Sequence, residues 1–269
     1  MECHDREPRP KAMKRTCQTQ AVNTSQGGFF SFTEITDSTQ HRAYNEWHQL
    51  DHMPEQFPLP GVQHGQRWVL TPQLRATAAV LTPPFDRTHY LTMYLMSEPL
   101  ETTLGEFHQL GQRLYKERRW FEPRKSHFAG ATLVESMQSA PRVCISPQAV
   151  PFRPHTGIHV VVESPMPVSV SSSGDRVAMM TEIPGIAGAW SFVSDERFAA
   201  LPWQVGNHRI TLAWLDTPVD QCDQLHNVLC STSSPFRSVV FSATLETITA
   251  WLWNWFDSRS PLDPSTEAS

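Results

Sequence analysis

The sequence predicts an α+β protein in which two copies of one βαββ unit are fused in a single chain. Its 269 residues, 39% of them hydrophobic, suffice for two cores of ordinary size. Two proline landmarks recur at nearly one spacing, since Pro60 and Pro184 lie 124 residues apart and Pro99 and Pro218 lie 119 apart. Duplication of one unit produces such a repeat. The predicted organisation is a disordered polar tail (1–26), a first unit (27–145), a second, degenerate unit (146–257) and a disordered polar tail (258–269).

The first unit begins with an aromatic and β-branched run at residues 28–35, which predicts a strand. A helix follows, with N-cap chemistry at Asp37-Ser38-Thr39 and an end at Pro54. After the turn at Leu59-Pro60-Gly61, the chain returns as a strand over residues 62–70. The apolar face of the helix carries Tyr44, Trp47, Leu50 and Met53.

The remaining elements of the first unit are a strand, a helix and a closing strand. Residues 89–96 predict the strand, and residues 100–116 predict the helix because their apolar side chains recur on one stripe. The closing strand is either 131–137 or 142–145, and the sequence does not choose between them.

The second unit repeats this order in weaker form. Residues 158–163 and 209–216 predict strands, and Ile183-Pro184-Gly185-Ile186 matches the turn of the first unit. Residues 164–174 contain repeated helix breakers, so we expect the second unit to have lost much of its first helix.

Three tryptophans alternate near the end of the chain, at Trp251, Trp253 and Trp255. A spacing of two residues places these side chains on one side of an extended segment, whereas a helix would scatter them. We therefore expect this segment to lie along an aromatic groove or at a subunit contact. Insertion into a membrane surface would need more cations than the nearby Arg259.

Composition argues against several classes of partner. The formal net charge of -5, without a basic cluster, argues against nucleic acid and against an anionic membrane surface. No apolar run is long enough to cross a bilayer. The five cysteines form no C-x-x-C pair, which favours reduced thiols in a cytoplasmic protein.

The densest group of reactive side chains lies between residues 44 and 68. The order in which its Tyr, Trp, His-x-Pro, Pro-Gly and Arg residues follow one another resembles the signature of EthD-like members of the dimeric α+β barrel superfamily. The resemblance covers residues 28–115. The residues that carry it are Tyr44, Trp47, His52, Pro54, Pro60, Gly61 and Arg67.

The resemblance implies a ferredoxin-like sheet whose concave face, closed against a second sheet, encloses a mostly apolar pocket. Relatives pair two chains, whereas here we expect the two halves to pair within one chain, with a homodimer as the alternative. Known activities include polyketide cyclases, lactone isomerases, decarboxylases, cofactor-free oxygenases and haem-dependent enzymes, so the fold alone selects none of them.

Proton transfer is the chemistry that these residues favour. The ordinary pKa of a histidine, ~6.5, allows His52 to exchange a proton at neutral pH. Arg67 would bind a carboxylate or enolate, and Tyr44 or Tyr90 would donate to a developing oxyanion. The predicted catalytic residues are therefore His52, Arg67 and Tyr44, and the predicted substrate-binding residues are Trp47, His48, Phe57, His64, Trp68 and Tyr90.

No His-x-Pro recurs in the second unit, where Arg176 takes the place of His52. We therefore expect one active site per chain, in the first unit. The second unit would supply the other wall of the pocket, through Trp190, Trp203 and Trp214, unless these tryptophans simply fill its core.

A purely structural interpretation of the motif is open as well. Tyr44 and Trp47 would then fill the core, His52 would cap the helix end, and Arg67 would pair with Glu46 or Asp51.

A metal or cofactor is not predicted. His48 and His52 have the i, i+4 spacing of many metal sites, but a third ligand is not evident. A single histidine would suffice to ligate haem. The favoured function is a cofactor-independent cyclase, isomerase or decarboxylase for an aromatic, polyketide-like or other hydrophobic carbonyl or carboxylic substrate. The alternatives are an oxygenase or haem enzyme and a non-catalytic ligand-binding protein.

Overall fold

A computed structural model of the chain describes residues 25–165, 173–195, 198, 207–219 and 237–257. The helices of this part are α1 (His41–Trp47), α2 (Pro72–Ala76), α3 (Leu100–Lys116) and α4 (Ser173–Glu182). The strands are β1 (Gly27–Ile35), β2 (Val62–Val69), β3 (Val80–Leu81), β4 (Tyr90–Met96), β5 (Arg124–Ser139), β6 (Gly157–Pro165), β7 (Ile186–Ser194), β8 (Arg209–Leu215) and β9 (Arg237–Thr247).

The strands form one antiparallel sheet that closes into a barrel. Their order is β2-β4-β1-β5-β7-β8-β6-β9-β3, and β2 also pairs with β9. The segments β2-β4-β1-β5 and β7-β8-β6-β9 have the same internal order, which is that of a ferredoxin-like unit. The predicted fold class is therefore confirmed, with the barrel closed by two units of one chain. The domain boundary at residues 145 and 146 stays a prediction.

The two units share local irregularities as well as strand order. The turns at Gly61 and Gly185 each accept a hydrogen bond from the residue that follows a neighbouring strand. Ser97 N, after β4, donates to Gly61 O at 2.9 Å, and Asp216 N, after β8, donates to Gly185 O at 2.7 Å. A register shift follows each turn, at Val62/His64 in β2 and at Ile186/Gly188 in β7. The recurring Pro-Gly landmarks of the sequence thus occupy equivalent places.

The interior of the barrel is filled by large side chains from both units. Phe30 and Phe192 meet edge to face with ring centroids 4.9 Å apart, and Trp190 and Trp214 meet at 5.9 Å. Trp68, Trp190 and Trp214 are all fully buried in this core. The expectation of a pocket enclosed between the two sheets is wrong, because aromatic rings pack that space. Trp203 lies outside the described residues.

Two expectations about elements need correction. The closing strand of the first unit is β5, which contains residues 131–137, so the alternative at 142–145 is wrong. The second unit keeps a ten-residue first helix, α4, because Val177 and Met180 bury an apolar face against the sheet beyond the helix-breaking stretch. Across the described ranges, no helix combines the length and apolar character that spanning a membrane requires.

The tryptophans near the end of the chain do not share one side. Trp251 is 68% exposed, whereas Trp253 is 3% exposed and Trp255 is half-buried. The segment folds back in turns against the first unit, where Phe256 stacks on His41 with ring centroids 3.6 Å apart. The predicted tails fall almost entirely outside the described residues, as do Cys3, Cys17, Cys222 and Cys230; Cys144 is a free, exposed thiol.

Candidate functional site

A cavity of about 760 Å³ lies against the outer face of the first unit, under α1 and α3. Alternate residues of β1 and β4 point into it, among them Ser31, Thr33, Thr92 and Tyr94, while their neighbours in sequence fill the barrel. Its volume is that of a site for a drug-sized molecule. The lining is mainly aromatic and polar: Phe29, Ser31, Thr33, Tyr44, Trp47, His48, His52, Gln56, Thr92, Tyr94, Phe107, His108, Gly111, Gln112, Tyr115, Lys116, Trp120, Arg124, Ser126 and Ala129.

A π-helical segment places the two histidines of the motif in this cavity. After α1 the chain continues as a π-helix over His48–His52, in which Met53 N donates to His48 O at 2.8 Å. His52 stacks on Trp47 with ring centroids 4.6 Å apart and meets the ring of His48 at 5.1 Å. π-helical turns often mark functional sites. Pro54 then opens a 3₁₀ turn.

Both imidazoles are held in their neutral form. Burial, together with the positive charges of Arg124, Arg67 and Arg119, lowers the pKa of His52 to about 3. Burial, Arg67 and neighbouring cations likewise hold the pKa of His48 well below its ordinary value. In the described part of the chain, Nδ1 of each ring is buried without a hydrogen-bond partner. At neutral pH the cavity therefore presents uncharged imidazoles.

Tyr44 and Tyr94 supply aromatic surface to the cavity, and Tyr94 offers a hydroxyl that can donate. Tyr44 on α1 is buried and contacts Trp47, His48 and Tyr90. Tyr94 on β4 is 2% exposed, and its hydroxyl has no hydrogen-bond partner among the described residues. Burial raises the pKa of Tyr94, so the hydroxyl keeps its proton and can donate. Tyr94 was not predicted as a site residue. The alternation of side chains along β4 places it on the same face as Thr92 and could have identified it.

Arg67 lies beside the cavity rather than in its lining. It is 2% exposed on β2, donates from Nη2 to Asn45 Oδ1 at 3.0 Å, and lies 5.1 Å from the Tyr44 ring centroid. The proposed pairing of Arg67 with Glu46 or Asp51 is wrong. Those carboxylates pair with Arg42 and Arg119 instead.

Arg124, which was not predicted from the sequence as a site residue, lines the cavity. It begins β5, and its guanidinium lies 4.3 Å from the ring centroid of Trp120 and 5.4 Å from that of Trp47. Nη1 donates to Ser126 Oγ at 3.3 Å, while Nε is buried without a partner in the described residues. Because the closing strand was left undecided, its first residue could not be placed.

The other predicted binding residues lie away from the cavity. Tyr90 is buried behind it, where its hydroxyl accepts from Asn45 Nδ2 at 2.9 Å. Phe57 is 48% exposed, His64 packs on Phe152, and Trp68 belongs to the barrel core. The predicted residues that do line the cavity are Tyr44, Trp47, His48 and His52.

Among the described residues, no carboxylate lines the cavity, although several lie near it. Asp51 and Glu55 both bind Arg119, at 2.8 and 2.7 Å. Glu34 binds His127 at 2.8 Å and Arg87 at 3.3 Å. Across the described ranges, no cluster of three or more His, Cys, Asp or Glu side chains is arranged to hold a metal ion.

Comparisons with known proteins found no matching family model and no matching curated protein. Among solved structures, the chain is similar to a chlorite dismutase-like protein (TM-score 0.48, 8% identity, 87% of this chain and 98% of that one) and to an anthrone oxidase-like protein (0.45, 11%, 84% and 92%). It is also similar to a mutant chlorite dismutase from Candidatus Nitrospira defluvii in complex with cyanide (0.41, 8%, 82% and 91%). With TM-scores below 0.5, these likenesses assign no activity to the chain. The EthD-like resemblance stays a prediction.

Proposed function

We propose that this chain is a small-molecule enzyme that uses His52 for proton transfer. The reaction is a cofactor-independent cyclisation, isomerisation or decarboxylation of an aromatic or polyketide-like carbonyl compound. One observation carries the proposal: a neutral imidazole, a buried tyrosine hydroxyl and aromatic walls meet in a single cavity of about 760 Å³.

The chemistry follows from the charges around the imidazole. His52 takes a proton from carbon next to a carbonyl, and Tyr94 donates to the oxygen on which negative charge develops. An imidazole with a pKa of about 3 is a weak base. The cations that lower its pKa, Arg67 and Arg124, also stabilise the enolate that proton removal creates. The aromatic walls exclude water, which strengthens each of these interactions.

The test begins with the small molecules that co-purify with the protein, identified by mass spectrometry. Turnover of these molecules, and of a panel of aromatic and polyketide-like β-keto acids, is then measured for His52→Ala and for His155→Gln. His155 accepts from Trp68 Nε1 at the barrel end, away from the cavity, and glutamine preserves an acceptor there.

Loss of a positioned acid or base costs about 10² to 10⁴ in rate. We expect His52→Ala to lower kcat by at least about a hundredfold, with an unchanged near-ultraviolet circular dichroism spectrum. His155→Gln should stay close to the wild type. Wild-type turnover in His52→Ala would remove His52 from the mechanism.

An oxygenase or haem enzyme is the second candidate, because His48 and His52 present neutral imidazoles to a cavity with aromatic walls. The fit to haem is poor in one respect. A metal-ligating histidine usually donates its other ring N–H to a carboxylate or carbonyl, and neither Nδ1 has such a partner among the described residues. A Soret band in the purified protein would select the haem enzyme, and oxygen consumption without one would select the oxygenase. Ligand binding without turnover would indicate a binding protein.

A further inference from the structure

We propose that the ligand of this cavity carries a carboxylate and that Arg124 anchors it. The inference rests on the proposed function only in taking the cavity as the substrate site. It does not depend on proton transfer by His52. It replaces Arg67, the anchor that the sequence predicts, with a residue that lines the cavity.

Arg124 is a cation that has no ionic partner among the described residues. No Asp or Glu of the described chain lies within ion-pair distance of its guanidinium, and Nε is buried and unbonded. Burial lowers the pKa of Arg124, and the exposed Glu122, two residues away, opposes this only through space. A buried charge is costly unless it is paired. A carboxylate on the ligand would supply the missing partner.

The acidic side chains around the cavity are not free to fill that role. Asp51 and Glu55 are bound by Arg119, and Glu34 is bound by His127 and Arg87. The described residues of the lining add a second cation, Lys116, and no anion. The cavity therefore has a positive potential that favours an anionic ligand.

The guanidinium is also held in place for a planar ligand. Trp120 and Trp47 fix its plane at 4.3 and 5.4 Å, and Ser126 accepts from Nη1. The remaining N–H groups retain the fork geometry that matches a carboxylate. The same two indole rings contact His52, with ring centroids 4.6 Å apart for Trp47 and 5.6 Å apart for Trp120. An aromatic ring attached to the bound carboxylate would thus lie along the indoles toward the imidazole.

Arg67 is less suited to this role. Asn45 binds its Nη2, and the rings of Tyr44 and Tyr90 lie 5.1 and 5.6 Å from the guanidinium. It is absent from the cavity lining. Its charge acts on the ligand through space.

The experiment compares a charged probe, a naphthalene carboxylate, with its neutral methyl ester, which is larger by one methyl group. Binding to the full chain is measured by titration calorimetry for the wild type, Arg124→Gln, Arg124→Lys and Arg42→Gln. Arg42 is an exposed arginine on α1, paired with Glu46 and outside the cavity. Circular dichroism confirms that each variant is folded.

We expect the wild type and Arg42→Gln to bind the acid at least about tenfold more tightly than the ester, as a charge-assisted bond predicts. Arg124→Gln should lose this preference, and Arg124→Lys should keep part of it. Equal binding of acid and ester by the wild type, no binding of either, or a full preference in Arg124→Gln would overturn the inference. Because none of these readouts requires turnover, the inference can stand if His52→Ala remains active, and it can fail while His52 proves catalytic.

Discussion

Acidification from about pH 7 to about pH 5 should destabilise this protein through its buried histidines. Burial lowers the pKa of His41 to about 4 and those of His52 and His89 to about 3. In the unfolded chain these groups titrate near 6.5. Between these values the unfolded state binds more protons than the folded state. The stabilisation is therefore present above about pH 6.5 and is lost as the pH falls toward the folded pKa values.

The magnitude follows from the linkage relation. Each histidine that is protonated only in the unfolded state changes the free energy of unfolding by about 1.4 kcal/mol per pH unit. From about pH 6.5 to about pH 5 the free energy of unfolding falls by about 2 kcal/mol for each of His41, His52 and His89. The three together contribute about 4 to 6 kcal/mol, a large part of a typical stability of about 5 to 15 kcal/mol.

Urea unfolding, followed by tryptophan fluorescence at several pH values between about 7.5 and 5, measures this slope. His52→Gln should lower the slope by nearly one proton, because glutamine does not titrate. Thr33→Val is the matched control, since it alters a buried, non-titrating residue of the same cavity. A free energy of unfolding that is constant over this range, or a slope unaffected by His52→Gln, would refute the reasoning.

Two further predictions concern packing. Phe192→Ala should lower the free energy of unfolding, measured in urea, by about 3 to 5 kcal/mol because it empties part of the barrel core. The folded variant should bind the naphthalene carboxylate as the wild type does. A tenfold loss of affinity would mean that the core and the cavity are not separate. Gly61→Ala should also destabilise the protein, because the added Cβ would lie 1.8 Å from Thr103 Oγ1. In a double-mutant cycle, Thr103→Ala should restore part of the lost stability. Additive effects of the two substitutions would contradict the contact.

The elements that the sequence predicted well are those with a single buried face. Helix α3 has the predicted bounds, 100–116, because its apolar stripe packs on the sheet while its other side remains polar. It begins directly after Pro99, where the sequence placed its start. The strands β1, β2 and β4 agree with prediction to within a residue at each end, since aromatic and β-branched runs define them.

The position of the cavity was harder to predict, because the strands of this barrel are buried on both faces. In β1, Phe30 and Phe32 fill the barrel, whereas Phe29 lines the cavity. Apolar alternation shows that the two faces differ but not which of them borders empty space. A register shift at Phe32/Thr33 against β5 also changes which residues of that strand face α3, so Ser126 and Ala129 both reach the cavity. Side-chain volume and bulges decide such features, and neither is readable from residue type alone.

The two units use equivalent positions in different ways, and this explains why the proposed site lies in one of them. Register places Thr33 opposite Tyr90 in the first unit and Glu163 opposite Arg209 in the second. Glu163 binds Arg176 at 2.7 Å, and Arg209 binds Glu135 at 2.8 Å, so these charges of the second unit are matched.

The first unit has the uncharged Thr33 and Tyr90 at the equivalent positions. The nearby Arg67 and Arg124 lack an acidic partner in the described chain. Buried ion pairs that are fully matched serve the fold, whereas an unmatched buried cation lowers stability unless a ligand neutralises it. The shared barrel therefore explains the structure of both units, and the uncompensated charge of the first explains where an anion would bind.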